Sequence, residues 1–566
     1  MTLSVDGPEV LAACHKLGWS SGPREVQRAL LSDLFAGHDV LGVLPTGAGK
    51  SGIFQIPALV RPGLVIVISP LVALMRDQVE RLTAHGVAAI TLNSHCSAIE
   101  RRQATDMLHA GAAKLLYLSP ERMLGMDPLM FGDHKIQMYV IDEAHCISEW
   151  GHDFRPAYWR LGRSMSRFQP AQRLALTATA TAEVAEEIAN ITQITQRGGK
   201  IHRYSPDRPN ITYGVAGRKV SLIRLVQAVG LPCIVYGSTR KGVEDAASHL
   251  SRAQFKTAFY HAGMNKNDRA EVQSKFTNGE IEVITATNAF GMGIDHSGIS
   301  GVVHLEMPTS LEAYSQETGR AGRGGQPAKA MCRATVETLE IAKSLVPMTW
   351  PSPHRVRLFW GRFEVYAEDG DNSWVGEGRV QLSNTEIAEK VGMESQEVGA
   401  CLRILSDHGY IRRTPYRDRP VKVSLLSGAD KLKGKKQRRV IDRLKEHADI
   451  SGEIIGSVSF FLDIIELDHS YACSLRDNHA IRIEWVDRCQ VIEILRDGRP
   501  ELDDAKIISI RRRSMGRIEA AHGFLKTSGC RRHYLLNYFG ETSGGDPDGP
   551  CCDRCLARSR GVAYAG

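Results

Sequence analysis

Between Leu30 and Thr335, short apolar runs alternate with amphipathic stretches. The segments "DVLGVLP", "GLVIVISP", "KLLYLSP", "MYVIDEAH" and "RLALTATA" are rich in Val, Ile and Leu, and each stops at polar or small residues. Stretches such as "LVALMRDQVERLTAHG", closing at Gly86, fill the gaps. Continuous apolar strands alternating with helices predict a parallel sheet covered on both faces. Ligands of such sheets bind at the carboxyl ends of the strands, where these loops lie. The rhythm pauses at "YSPDRPNITY" (Tyr204–Tyr213), whose two prolines suit an interdomain linker. It resumes with "PCIVYGSTRKG", "KTAFYHAG", "EVITATNAFGMGID" and "GVVHLEMP". Two similar α/β domains facing each other across a cleft are expected.

After about residue 345 the periodicity changes. Residues 383–423 read as two helices around a turn at Gly392, followed by a β-hairpin. Asn384 and Glu394 stand where helices should start, and Gly409 where the second should stop. The pattern is a helix-turn-helix with a wing, which serves nucleic-acid and protein partners alike. Residues 440–510 carry less pattern, although "VIEILRDGRPEL" predicts a hairpin turning at Asp497-Gly498. The expected domains are 1–205, 206–345, 346–510 and 511–566.

Composition narrows the class. At 566 residues the chain exceeds one hydrophobic core, and 43% hydrophobic with 24% charged residues is ordinary for a globular protein. No run of about eighteen apolar residues predicts a membrane span, and "MTLSVDGPEV" lacks signal-peptide features. The expectation is a cytoplasmic protein with no membrane partner. The net charge of +7 is mild, but "KLKGKKQRR" (Lys431–Arg439) and Arg511–Arg513 concentrate it in the second half. Such runs track phosphate backbones or simply form solvated faces. Twelve cysteines in such a chain are not a disulfide framework; eight are scattered, while Cys530, Cys551, Cys552 and Cys555 gather near the end.

The chemistry begins at "LPTGAGKS" (Leu44–Ser51), which follows a predicted strand and precedes a helix. Small residues at Thr46, Gly47, Ala48 and Gly49 let backbone N–H groups approach phosphate oxygens, and the helix N-terminus favours negative charge. Lys50 then reaches the β- and γ-phosphates, and Ser51 binds Mg²⁺. Downstream, "VIDEAH" ends a strand in two carboxylates. Asp142 is suited to hold Mg²⁺ and Glu143 to orient and deprotonate the attacking water.

"PTGAGKS", "DEAH", "TAT" (Thr177–Thr179) and "QETGRAGR" (Gln316–Arg323) together resemble a superfamily-two helicase. Leu44 stands where the strict phosphate-loop pattern has glycine, and "PTGxGKS" is the helicase variant. The narrower resemblance is to the RecQ family of DNA helicases. It rests on "SPLVALMRDQV", "LLYLSPERM", "DEAHCISEWGHDFRPAY", "DRPNITY", "YHAGM", "ATNAFGMGID" and "CRRHYLLNYFGE". The resemblance implies two tandem RecA-like domains, then a winged-helix region and a small helical zinc module. It implies ATP, Mg²⁺ and Zn²⁺ as cofactors, and 3′-to-5′ unwinding in recombination and repair. Single-stranded, forked or branched DNA is the implied substrate, with single-strand-binding or recombination proteins as further partners. An RNA-directed helicase or remodelling ATPase of the same superfamily is the alternative.

By that resemblance Gln27 reads adenine and Arg24 supports the site; Trp19 stands in for the family's base-stacking tyrosine, though at altered spacing. Trp150, Phe154 and Arg155 belong to an aromatic-rich DNA-sensing loop, whose flat rings and charge suit bases and phosphates. Gln316, Arg320 and Arg323 face the γ-phosphate, the arginines as fingers. "GMGID" joins the DNA and ATP sites, while Ser238, Arg240 and "YHAGM" touch the DNA backbone. Tyr416, near the expected wing tip, is the candidate wedge. His145 and Cys146 fit a relay between the two sites better than a metal site.

"CRRHYLLNYFGE…GPCCDRC" resembles the family's zinc module, with Cys530, Cys551, Cys552 and Cys555 as implied ligands. The family separates its second and third cysteines, whereas Cys551 and Cys552 are adjacent. Adjacent side chains diverge in an extended chain, so His533 in place of one of the pair remains the competing ligand set.

Overall fold

The computed structural model describes residues 3–70, 72–93, 96–131, 134–148, 156–165, 167–168, 170–290, 298–368, 379–414, 420–426, 429, 435–448, 452–457, 480–485, 490–541 and 550–560. Trp150, Phe154, Arg155, "GMGID" (Gly291–Asp295), Tyr416 and residues 431–434 lie outside the described residues. By internal contacts the chain forms one unit of Met1–Lys343 with Arg513–Gly566, and another of Ser344–Arg512. Among the described residues no helix is long and apolar enough to cross a membrane.

The first unit holds two parallel sheets. One comprises β1 (Val40–Val43), β2 (Leu64–Ile68), β3 (Ala89–Leu92), β4 (Leu115–Leu118), β5 (Ile136–Ile141), β6 (Gln172–Thr177) and β7 (Lys200–Arg203), in the order β3-β4-β2-β5-β6-β1-β7. Its central strands are buried along their whole length, as the unbroken Val/Ile/Leu runs require. Alternate side chains of β5 go to opposite faces: Tyr139 and Ile141 enter one apolar cluster, Met138 and Val140 the other. The second sheet comprises β8 (Ile211–Ala216), β9 (Cys233–Tyr236), β10 (Thr257–Tyr260), β11 (Val283–Ala286), β12 (Gly301–His304) and β13 (Ala328–Arg333), in the order β10-β11-β9-β12-β13-β8. These are the two RecA-like domains that the sequence pattern and resemblance imply.

Ser344–Arg512 contains two small antiparallel sheets. The helices Asn384–Val391 and Ser395–Asp407 form the expected pair around Gly392, which ends the first helix at φ +65°. Ser383, one residue before the expected start, caps that helix: its hydroxyl accepts from the Glu386 N–H while Glu386 reaches back to the Ser383 N–H. The hairpin expected after the pair does not form. β15 (Ile411–Thr414) pairs with β19 (Gln490–Ile494), whose other edge carries β14 (Arg379–Leu382). β16 (Pro420–Leu425) lies instead between β17 (Glu453–Ser457) and β18 (Ile481–Trp485).

The chain therefore leaves the wing after β15, builds a second small core around Val423, Val440, Ile441, Leu444 and Ile481, and returns to complete the wing with β19. Asp497-Gly498 turns no hairpin either. The chain runs from β19 towards the helix Asp504–Lys526, and Gly498 is held by Trp360 and Glu364. Long-range strand pairing overrode the first turn signal, and contacts from Trp360 and Glu364 redirected the second.

Candidate active site and metal centre

The loop Leu44–Ser51 emerges from β1 at the sheet's carboxyl edge, and Leu44 N donates to Thr177 O at the end of β6. Among the described residues, the N–H groups of Gly49, Lys50 and Ser51 find no protein acceptor. They precede the helix Gly52–Val60, so open donors and the positive helix end coincide. Gln27 Nε2 donates to Gly49 O at 2.7 Å and Arg24 Nη1 to Gly47 O at 2.6 Å, while Gln27 Oε1 accepts from Arg24 N. Trp19 packs against Gly52 so closely that a Cβ there would stand 2.1 Å from the indole ring. Ala48 is the member of the loop turned away: its side chain joins the core, and its N–H goes to Pro45 O.

Asp142 follows β5, its N–H bonded to Ile68 O and its carboxylate 3.4 Å from Ser69 Oγ. Burial pushes its carboxyl up to about 7; Glu143's charge adds to the rise and Lys50's opposes it. A cation beside so enclosed a pair of carboxylates favours the ionised form, as Lys50 already does. Glu143 takes the left-handed region (φ +48°), rare for a side chain of its kind, so the backbone is strained where it aims the carboxylate. Among the described residues its Oε2 has no hydrogen-bond partner, and it lies 3.4 Å from His145 Nδ1. That nitrogen is 3.0 Å from Thr177 Oγ1, so buried His145 connects "DEAH" to "TAT". Cys146 is buried in the core.

A cleft of about 790 Å³ brings together Trp19, Arg24, Gln27, Thr46, Gly47, Gly49, Lys50, Ser51, Asp142 and Glu143 from the first domain with Gln316, Arg320 and Arg323 from the second. Gln316 stands on the helix Leu311–Thr318, which His304 at the end of β12 ties down through Glu317 Oε2 at 2.8 Å. Arg320 is buried beside Tyr236, and the Arg323 stem comes to the edge of the phosphate loop near Gly47. Ser238 and Arg240 lie elsewhere, exposed at the end of β9. The Arg240 guanidinium covers Gly263, so "STRKG" and "YHAGM" form one surface. Arg208 escaped the sequence reading. It donates to Thr46 O and to Gly319, Ala321 and Gly322 O; the sequence places it within "DRPNITY", a segment of the resemblance to which no residue role was attached.

The four predicted thiols do meet. Their sulfurs all lie within 4.8 Å of one another, with Cys530–Cys551 at 3.3, Cys552–Cys555 at 3.5, Cys551–Cys555 at 3.9 and Cys530–Cys552 at 4.0 Å. Tetrahedral zinc with bonds of about 2.3 Å separates its sulfurs by about 3.8 Å, so the set fits one ion. Cys552 makes the adjacency workable by capping the helix Asp553–Ser559, its sulfur accepting from Cys555 N and Arg531 N. Interaction with the neighbouring Cys530 and Cys551 thiols, together with these N–H groups, holds the Cys552 thiol well below its ordinary range. His533 is not a member of the cluster.

Three family models match the chain in order. They are the DEAD/DEAH box helicase domain over residues 24–188, the helicase conserved C-terminal domain over 218–325, and the RecQ zinc-binding module over 502–556. Similar proteins include the ATP-dependent DNA helicase RecQ of Pasteurella multocida, 41% identical over 313 residues, covering 54% of this chain and 49% of that one. The probable ATP-dependent DNA helicase RecS of Bacillus subtilis is 38% identical, over 57% of this chain and 66% of that one. The ATP-dependent helicase SGS1 of Saccharomyces cerevisiae is 37% identical over 56% of this chain and 23% of its own. The chain thus spans between 23% and 66% of the length of these curated relatives.

Proposed function

Because the chain belongs to the RecQ family, we propose that it is an ATP-dependent DNA helicase, coupling hydrolysis to 3′-to-5′ movement on single-stranded DNA and to duplex unwinding. The observation that carries this reading is the convergence of Lys50, Asp142 and Glu143 with Gln316, Arg320 and Arg323 in one cleft. Lys50 and the open N–H groups of the loop grip the β- and γ-phosphates, with Gln27 and Trp19 beside the base. Ser51 and Asp142 would hold Mg²⁺, which would supply charge neutralisation at those phosphates. Glu143 orients the attacking water and takes its proton, and Arg320 and Arg323 stabilise charge in the transition state. With the two sets of groups on different domains, nucleotide turnover changes how the domains grip the strand.

The substrate is single-stranded, forked or branched DNA, met in recombination and repair in the cytoplasm, with protein partners of those processes. The RecQ-named relatives, described as DNA helicases, favour DNA over the RNA-directed alternative. Zinc, held by Cys530, Cys551, Cys552 and Cys555, supports the fold of the C-terminal module. Strand separation on forked DNA against matched RNA, with Lys50→Ala as the inactive control, tests the reading. ATP-dependent unwinding of the DNA fork is expected; stimulation by RNA alone would reject it.

A further inference from the structure

Arg208 lies in the segment joining the two domains, and its guanidinium holds four carbonyls at once. Nη1 donates to Gly319 O at 2.7 Å and Thr46 O at 3.3 Å; Nη2 donates to Gly322 O at 2.7 Å and Ala321 O at 3.1 Å. Thr46 belongs to the phosphate loop, whereas the other three belong to the turn that carries Arg320 and leads into Arg323. Asn210 Nδ2 fastens the far side of that turn, at 2.9 Å to Gly322 O and 2.7 Å to Gln326 O.

The fit leaves no slack. A Cβ on Gly319 would stand 3.2 Å from Thr46 Cβ, and one on Gly322, at φ +59°, only 2.4 Å from Asn210 Nδ2. The clamp's own backbone is fixed from behind. Arg532, buried and two residues past Cys530, donates to Pro209 O and Ile211 O at 2.9 Å and to Arg208 O at 3.3 Å. Tyr213 N donates to Cys551 O at 3.2 Å.

We infer that Arg208 is a positioning residue for hydrolysis: it registers the turn bearing Arg320 and Arg323 against the phosphate loop, while the zinc module anchors it through Arg532. The inference rests on the proposed ATPase. Arg208 reaches both loops only through backbone carbonyls, and it takes a forked set of donors to span four of them. A lysine has the charge but not the span. Finger arginines act on charge that develops in the transition state, so a mispositioned turn lowers kcat and leaves nucleotide binding nearly intact.

The test is steady-state ATP hydrolysis with single-stranded DNA by the full chain, alongside binding of a fluorescent ATP analogue. The proteins are wild type, Arg208→Ala, Arg208→Lys, Arg320→Ala, and Arg320→Ala combined with each Arg208 variant. Arg208→Ala should lower kcat about a hundredfold with analogue affinity within about threefold, and Arg208→Lys should restore only part of the loss. Added to Arg320→Ala, either Arg208 variant should cost little more, because both changes remove the same finger contribution. Losses that multiply in the double variants, or an undiminished kcat in Arg208→Ala, would overturn the inference. If Arg208→Ala does not fold, Arg208→Lys and its double variant carry the same test, with a smaller first loss. A wild type that hydrolyses no ATP would reject the motor reading itself, and this inference with it.

Discussion

The parallel sheets of the first unit and the antiparallel sheets of Ser344–Arg512 bury their strands in different ways. In the former, β1, β2, β4 and β5 are covered on both faces by extensive apolar clusters, and the loops at their carboxyl ends carry the chemistry. In the latter, each sheet has three strands and a small core of its own, one around Trp360 and Leu405, the other around Leu444. A large shared core fixes loop geometry, which is what a cleft assembled from many loops requires. A small core stabilises only its own segment. Changes at the cleft should therefore cost rate with little stability, and changes in the small cores should cost stability with little rate.

Glu143→Gln gives the largest contrast. Hydrolysis should fall about thousandfold with the general base gone, while the thermal unfolding transition stays in place. A comparable loss of stability would break the distinction. Zinc removal crosses it, because the four thiols sit next to the linker between the two parallel-sheet domains. Metal analysis should find about one zinc per chain, and chelation should unfold the C-terminal module; a zinc-free, folded protein would show the cluster to be metal-independent. Leu444→Ala should cost about 3 kcal/mol in denaturant unfolding of its segment through the cavity it leaves, with basal ATP hydrolysis unchanged. Ser383→Ala is the smallest change, costing about 1 kcal/mol by removing half of a capping box, and should also spare hydrolysis.

The same contrast decides what could be read in the chain beforehand. The central strands are apolar along their length and local in sequence, so "GLVIVISP" and "KLLYLSP" identify themselves, and the residues after them are the loops of the cleft. The helix pair around Gly392 was equally legible, since its caps lie within a turn of the helices they end. The strands of Ser344–Arg512 were not. β15 finds its partner in β19, with the whole second small sheet between them in sequence, and no local pattern encodes that pairing. The turn signal at Asp497-Gly498 was real as a backbone requirement, since Gly498 sits at φ +82°, but it serves a bend packed on Trp360. Arg208 stands in the quoted "DRPNITY", but its role was hidden for a related reason: its partners are backbone carbonyls, which leave no mark on residue identity. The four thiols were legible as a ligand set, but the turn that adjacent Cys551 and Cys552 need was not; the cap formed by Cys552 supplies it.

The central claim is that groups from both domains complete one hydrolytic site. Single-turnover hydrolysis of ATP by Arg320→Ala, with single-stranded DNA present, tests it most directly. The account predicts about a thousandfold slower hydrolysis with ATP bound as tightly as by the wild type. Hydrolysis at the wild-type rate would contradict it.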